Sequence, residues 1–211
     1  LGHLLQDERL IKKAEHWVEW TLDNQAPDGY LGPVPFDSPP DPEPGLQRGK
    51  RRDWWPKMVM LKVLQQHYLA TGDERLVTAL TRYFRYQTKH LAKTPLGHWT
   101  FWGNRRGGDN LLIVYWLYNI TGDSFLLELG DQLHAQTHPY TDIFLRRGDL
   151  ALWGPFDERQ WTAKDATAYP FHCVNLAQGL KAPIVRSQAD ASPQHLQAVR
   201  KALKDIQRLH G

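Results

Sequence analysis

The sequence predicts an all-α fold: inner helices that are apolar on every side alternate with outer amphipathic ones, as in an α/α toroid. Three observations predict it. The first is a phrase written twice, "YLATGDERLVTALTRYFRYQ" from Tyr68 to Gln87 and "YNITGDSFLLELGDQLHAQ" from Tyr118 to Gln136. Weaker copies run from Leu4 to Gln25 and from Arg186 to His210, and Asp7, Asp73, Asp123 and Asp190 mark the four. The second is that each copy leads into a helix with one apolar stripe. The third is that the segments ahead of these links are apolar almost all round, as a buried helix must be. Repetition at this spacing means stacked units.

In chain order, "LGHLL" reads as the tail of a buried helix. Glu8 to Asn24 is an outer helix with Leu10, Ile11, Ala14, Trp17, Val18 and Leu22 on one face. Inner helices are expected at Pro56–Ala70, Asp109–Ile120 and His172–Val185, with Pro183 ending or kinking the last. Outer helices follow with Leu76, Leu80, Tyr83, Phe84 and Gln87, then Leu126, Leu129 and Leu133, then Leu196, Val199, Leu203 and Ile206. The T-G-D phrase is the turn between inner and outer helix. Gly72 and Gly122 suit the left-handed position that closes one helix, and Asp73 and Asp123 suit the N-cap of the next. A six-hairpin ring needs about a dozen helices. The seven and a tail read here make the chain roughly half of an (α/α)6 barrel, one partial domain over 1–211, cut at both ends.

Composition narrows the partners. Of 211 residues, 41% are hydrophobic and 23% charged, and the formal charge is only +3. The basic cluster Arg48, Lys50, Arg51 and Arg52 lacks a basic helix face, which argues against nucleic acid. No apolar run reaches the length of a membrane span, and no signal peptide is read at the start. Cys173 stands alone, so neither an internal disulfide nor a multi-cysteine zinc site can be built from these residues. The unusual count is nine tryptophans.

Function is expected where the long connections meet. Inner-to-outer links are a few residues. Outer-to-inner links are long: Gln25 to Trp55, Thr88 to Gly108 and Thr137 to Phe171. Loops of this length are commonly functional, and all three enter inner helices from the same end. Their sequences "RDWWPK", "GHWTFWGNRRGGDN" and "LALWGPFDERQWTAKDATAYPFHCVN" hold Trp54, Trp55, Trp99, Trp102, Trp153 and Trp161 beside Asp53, His98, Arg105, Asn110 and His172. Flat rings beside hydrogen-bonding groups suit sugars, which present C–H faces and hydroxyl edges. Any single tryptophan among them reads first as a plug for the barrel end, and the cluster of six is what tips the reading to sugar. Asp109 reads as an N-cap and Asp28 as a turn residue. Asp53 reads equally as a cap or as a ligand contact. His172, at an inner-helix start, reads as a ligand contact or as a core histidine. Cys173 reads as a small buried hydrophobe.

The stretches "LLQDERLIKKAEHWVEWTLDNQAPDGYLGP", "DWWPKMVMLKVLQQHYLATGDERL", "YWLYNITGDSFLLEL" and "FHCVNLAQGLKAPIV" together resemble the β-L-arabinofuranosidase-like glycoside hydrolases. The resemblance implies a six-hairpin (α/α)6 catalytic barrel that removes L-arabinofuranose or related sugars from glycans. It implies a retaining mechanism with a zinc-held cysteine thiolate as nucleophile and a glutamate as acid/base. Those residues lie in a Glu-x-Cys segment and a later cysteine-rich segment, and neither is present here. The catalytic residues are therefore unassigned, no metal ligand is named in this chain, and zinc is expected only in a longer family enzyme. His172 carries over as a sugar contact, because "HCVN" is similar to the family's His-Ala-Val-Arg segment. Asn175 takes the place of that arginine, and "WWPKM" replaces a second family histidine near Met58. The substrate-binding set is thus His172, Asp53, Trp54, Trp55, His98, Trp99, Asn110 and Asn175. Carbohydrate is the expected partner, together with the remainder of the barrel or a second copy of the chain. A non-catalytic helical scaffold that binds glycan or protein is the alternative.

Overall fold

The computed structural model describes residues 1–32, 52–146 and 173–210. Among these, every regular element is a helix. In order they are α1 (Gly2–Leu5), α2 (Glu8–Asp23), α3 (Trp54–Thr71), α4 (Glu74–His90), α5 (Phe101–Arg105), α6 (Gly107–Thr121), α7 (Phe125–Gln136), α8 (Tyr140–Arg146), α9 (Cys173–Gly179), α10 (Lys181–Arg186) and α11 (Pro193–His210). None is long and apolar enough to cross a membrane.

The inner helices are α3, α6 and the α9–α10 pair. The outer helices are α2, α4, α7 and α11. Helix α6 packs against α3, α7 and α10, while α11 packs against α8 and α10. The main core joins Val18, Leu61, Leu64, Leu80, Phe84, Leu111, Val114 and Leu129 from α2 to α7. A smaller one gathers Tyr140, Phe144, Ala182, Ala198 and Ala202. This inner–outer alternation is that of an α/α toroid.

The T-G-D turns have a physical explanation residue by residue. Gly72 and Gly122 sit at φ 69° and 72°, a left-handed conformation that costs an L side chain roughly 1–2 kcal/mol. A Cβ at either would meet nothing within 4 Å, so backbone conformation and not space selects glycine. Thr71 Oγ1 donates to the His67 carbonyl at 2.8 Å and accepts from Asp73 N at 3.3 Å. Thr121 Oγ1 repeats this with Leu117 at 3.0 Å and Asp123 N at 3.2 Å. Asp73 caps α4 by accepting from Arg75 N at 3.0 Å, and Asp7 caps α2 in the same way.

Asp123 departs from the expected cap. Helix α7 begins one residue later, behind Ser124, which makes no side-chain cap. The Asp123 carboxylate lies 3.6 Å from Arg85 of α4 instead. Asp109 is likewise not the cap of α6. It lies in the first turn, behind Arg106 at the N-cap position, and pairs with Lys181.

Three further differences concern elements. Leu4 and Leu5 of α1 are 87% and 63% exposed, so "LGHLL" is not buried in this chain. The connections read as loops contain α5 and α8. The third inner segment breaks at Leu180, because Pro183 cannot donate to the carbonyl four residues earlier, at Gly179.

The glutamine that closes each repeat phrase fastens units together. Gln25 Nε2 donates to the carbonyls of Gly29 at 3.0 Å and Ala79 at 2.8 Å. Gln87 and Asn110, both fully buried, exchange two amide hydrogen bonds of 3.0 Å. Gln136 Oε1 accepts from Leu96 N at 2.9 Å.

Candidate functional site

The connection from α4 to α6 is held at several points, and these points place α5. Trp54 Nε1 donates to the Thr94 carbonyl at 2.7 Å. Thr100 Oγ1 donates to Asp53 Oδ2 at 2.8 Å. Asn104 Nδ2 donates to the Gln136 carbonyl at 2.5 Å, and His138 N donates to that of Asn104 at 3.1 Å. Gly103 lies against the backbone of Leu96, whose carbonyl oxygen would be 2.2 Å from any Cβ there. Only glycine lets α5 approach this closely.

Fixed in this way, α5 packs between the starts of α3 and α9. Arg106, at the head of α6, places its guanidinium carbon 4.5 Å from the Trp55 ring centroid and 4.9 Å from that of Trp102. The two indoles are 6.2 Å apart, and Phe101 lies 4.2 Å from Trp102. Arg106 Nε donates to Asn175 Oδ1 at 3.3 Å, reaching the first turn of α9. The starts of α3, α6 and α9 therefore meet around one stacked cation. This is the inner-helix end of the fold.

Beneath it lies a buried polar floor. The Tyr140 hydroxyl donates to the Arg105 carbonyl at 3.0 Å and lies 3.2 Å from the Asn175 carbonyl. Burial pushes this phenol up to about 12, so it stays protonated at neutral pH. The Arg105 guanidinium contacts His138 Nδ1. Burial also lowers the pKa of Arg105 and Arg106, yet guanidinium remains charged under ordinary conditions.

The residues expected at the site fall in different places. Trp55 and Asn175 join the cluster. Asp53 and Trp54 are 2% exposed, with their polar atoms engaged inside the chain. Asp53 caps α3 through Trp55 N at 3.2 Å besides holding Thr100. Its carboxyl is raised by burial, against the lowering by those hydrogen bonds. Asn110 is sealed in the core with Gln87 and does not reach the cleft. His98 and Trp99 form an edge-to-face pair at 4.6 Å, and Trp99 leans on the main core. His172, Trp153 and Trp161 lie outside the described residues. The reading from sequence passed over Arg106. Its signal was a second arginine in "WGNRRGG", next to the tryptophans of that connection.

With this geometry in place, the comparison with known families is decisive. The model of the β-L-arabinofuranosidase GH127 catalytic domain matches residues 3–180. The chain belongs to this family. No match was found among curated proteins or among solved structures. As a GH127 chain it carries a glycoside hydrolase catalytic-domain match of arabinofuranosidase-like type, which points to a carbohydrate substrate. Its all-helical described residues agree with the toroid of that assignment. Among the described residues, no group of three or more His, Cys, Asp or Glu side chains could hold a metal ion.

Proposed function

We propose that this chain contributes the sugar-binding wall of a glycosidase that releases L-arabinofuranose or a related sugar from a glycan. The GH127 family match across residues 3–180 carries the reading. The half-buried Trp55 and Arg106 at the inner-helix end support it, as an aromatic ring beside a hydrogen-bond donor. We propose His172 as a sugar contact, from its place in "HCVN" at the inner-helix start. Hydrolysis with retention needs a nucleophile and an acid/base group flanking the bond. We assign neither role to a described residue.

The test is hydrolysis of an aryl β-L-arabinofuranoside by the full gene product. His172→Ala should leave a hydroxyl of the sugar unpaired, at about 1–3 kcal/mol, which lowers kcat/KM by roughly 5- to 150-fold with the fold intact. Unchanged kcat/KM with lost thermal stability would make His172 a core histidine. Absence of any glycosidase activity, with glycan binding retained, would favour the non-catalytic scaffold.

A further inference from the structure

We propose that Arg106 is an anion-recognising residue and that the glycan taken at this face carries a carboxylate, as a uronic acid residue does. The inference rests on the glycosidase reading of the face and names its substrate class more closely.

The guanidinium is held on three sides. The Trp55 and Trp102 rings lie against it at 4.5 and 4.9 Å, and Nε is committed to Asn175 at 3.3 Å. Among the described residues, neither terminal nitrogen of Arg106 has a hydrogen-bond acceptor, and no carboxylate forms an ion pair with it. Its acidic neighbour Asp109 acts on it through space but pairs directly with Lys181. The guanidinium is half-buried, so it presents fixed donors at an accessible site. A preorganised guanidinium loses little freedom on binding.

Charge selects the ligand. Arg106 brings a full positive charge to this end, while the charge of Lys181 is paired with Asp109. The N-termini of α3 and α6 add partial positive charge at the same end. A neutral hydroxyl both donates and accepts and gains nothing from this imbalance. A carboxylate only accepts, and its two oxygens match two parallel N–H donors of a guanidinium. An acidic residue next to the furanose therefore fits this guanidinium.

The test titrates the whole chain with a glucuronic-acid-containing disaccharide and with its neutral glucose counterpart. Intrinsic tryptophan fluorescence is read at low and high salt. The acidic sugar should bind at least about tenfold more tightly, with a preference that shrinks as salt rises. Arg106→Gln should bring the two affinities within about twofold. Arg106→Lys keeps charge but loses the fork, and should leave an intermediate preference. The Lys variant decides the matter if circular dichroism shows that the Gln variant does not fold. Equal binding of both sugars to the unaltered chain would overturn the carboxylate inference and leave the glycan reading standing. Binding of neither would remove both. An acidic preference that survives Arg106→Gln or Arg106→Lys undiminished would overturn the role of Arg106.

Discussion

Asn110 and Gln87 provide a sharp test of how the inner and outer helices are joined. Both side chains are fully buried, and they share two hydrogen bonds of 3.0 Å. Replacing one partner leaves a buried N–H and a buried carbonyl oxygen unpaired, at about 1–3 kcal/mol for each group. Asn110→Leu or Gln87→Met alone should therefore cost about 2–6 kcal/mol. At roughly 2–4 °C per kcal/mol for a chain of this size, the melting temperature should fall by about 5–20 °C. The double variant removes both polar partners and keeps their shape, so it should recover much of the loss. The coupling in a double-mutant cycle should exceed about 2 kcal/mol. Thermal melts of the four proteins, followed by circular dichroism at one concentration, measure it. Single variants within about 0.5 kcal/mol of the parent would refute the buried pairing, as would a double variant whose loss equals the sum. Sugar affinity that falls in Asn110→Leu with no change in stability would return Asn110 to the cleft.

Gly103→Ala places a methyl group about one bond length too close to the Leu96 carbonyl, so α5 must shift; tryptophan emission from Trp102 should change and glycan binding should drop several-fold, whereas unchanged binding and emission would contradict the close approach. Arg75 holds the carboxyls of Asp73 and Glu19 below their usual range through hydrogen bonds. Depressed carboxylates stabilise above their unfolded pKa and lose that contribution as pH falls through the folded value, so the melting difference between parent and Arg75→Gln should be present at neutral pH, smaller in high salt, and lost as pH falls below the ordinary carboxylate range. Leu196 and Leu203 are 43% and 52% exposed and lie one heptad apart on α11; light scattering should show self-association that Leu196→Gln with Leu203→Gln reduces, and a monomeric parent would contradict it.

The alternation of helices was legible because it is local. Burial on all sides forces an unbroken apolar run, as at Leu111 to Leu117, and a covering helix forces a stripe. The turns were legible for the same reason, since a left-handed residue selects glycine at 72 and 122 whatever lies around it. Side-chain partnership was not legible. Asn110 stands at an inner-helix start like Asn175, and nothing in the sequence says that one faces Gln87 and the other Arg106. Asp73 and Asp123 occupy identical phrases, yet only the first caps. Arg85 lies across from the second and draws its carboxylate away, an effect of packing between neighbouring units. Arg106 escaped notice because it gains its role only when Trp55, 51 positions earlier in the chain, folds against it.

The closing glutamines have a consequence for how damage spreads. Gln25 reaches into α4, Gln87 reaches into α6, and Gln136 reaches back to the connection that precedes α5. Each fastener spans adjoining units and no more. Cooperativity in such a chain is of nearest-neighbour kind, with each joint acting as a link in a one-dimensional series. Loosening the Gln136 link should speed amide exchange around α5 and α7 and leave α2 as protected as before. The mouth of the fold would then open by local fraying at one joint, while the far end of the arc stays closed.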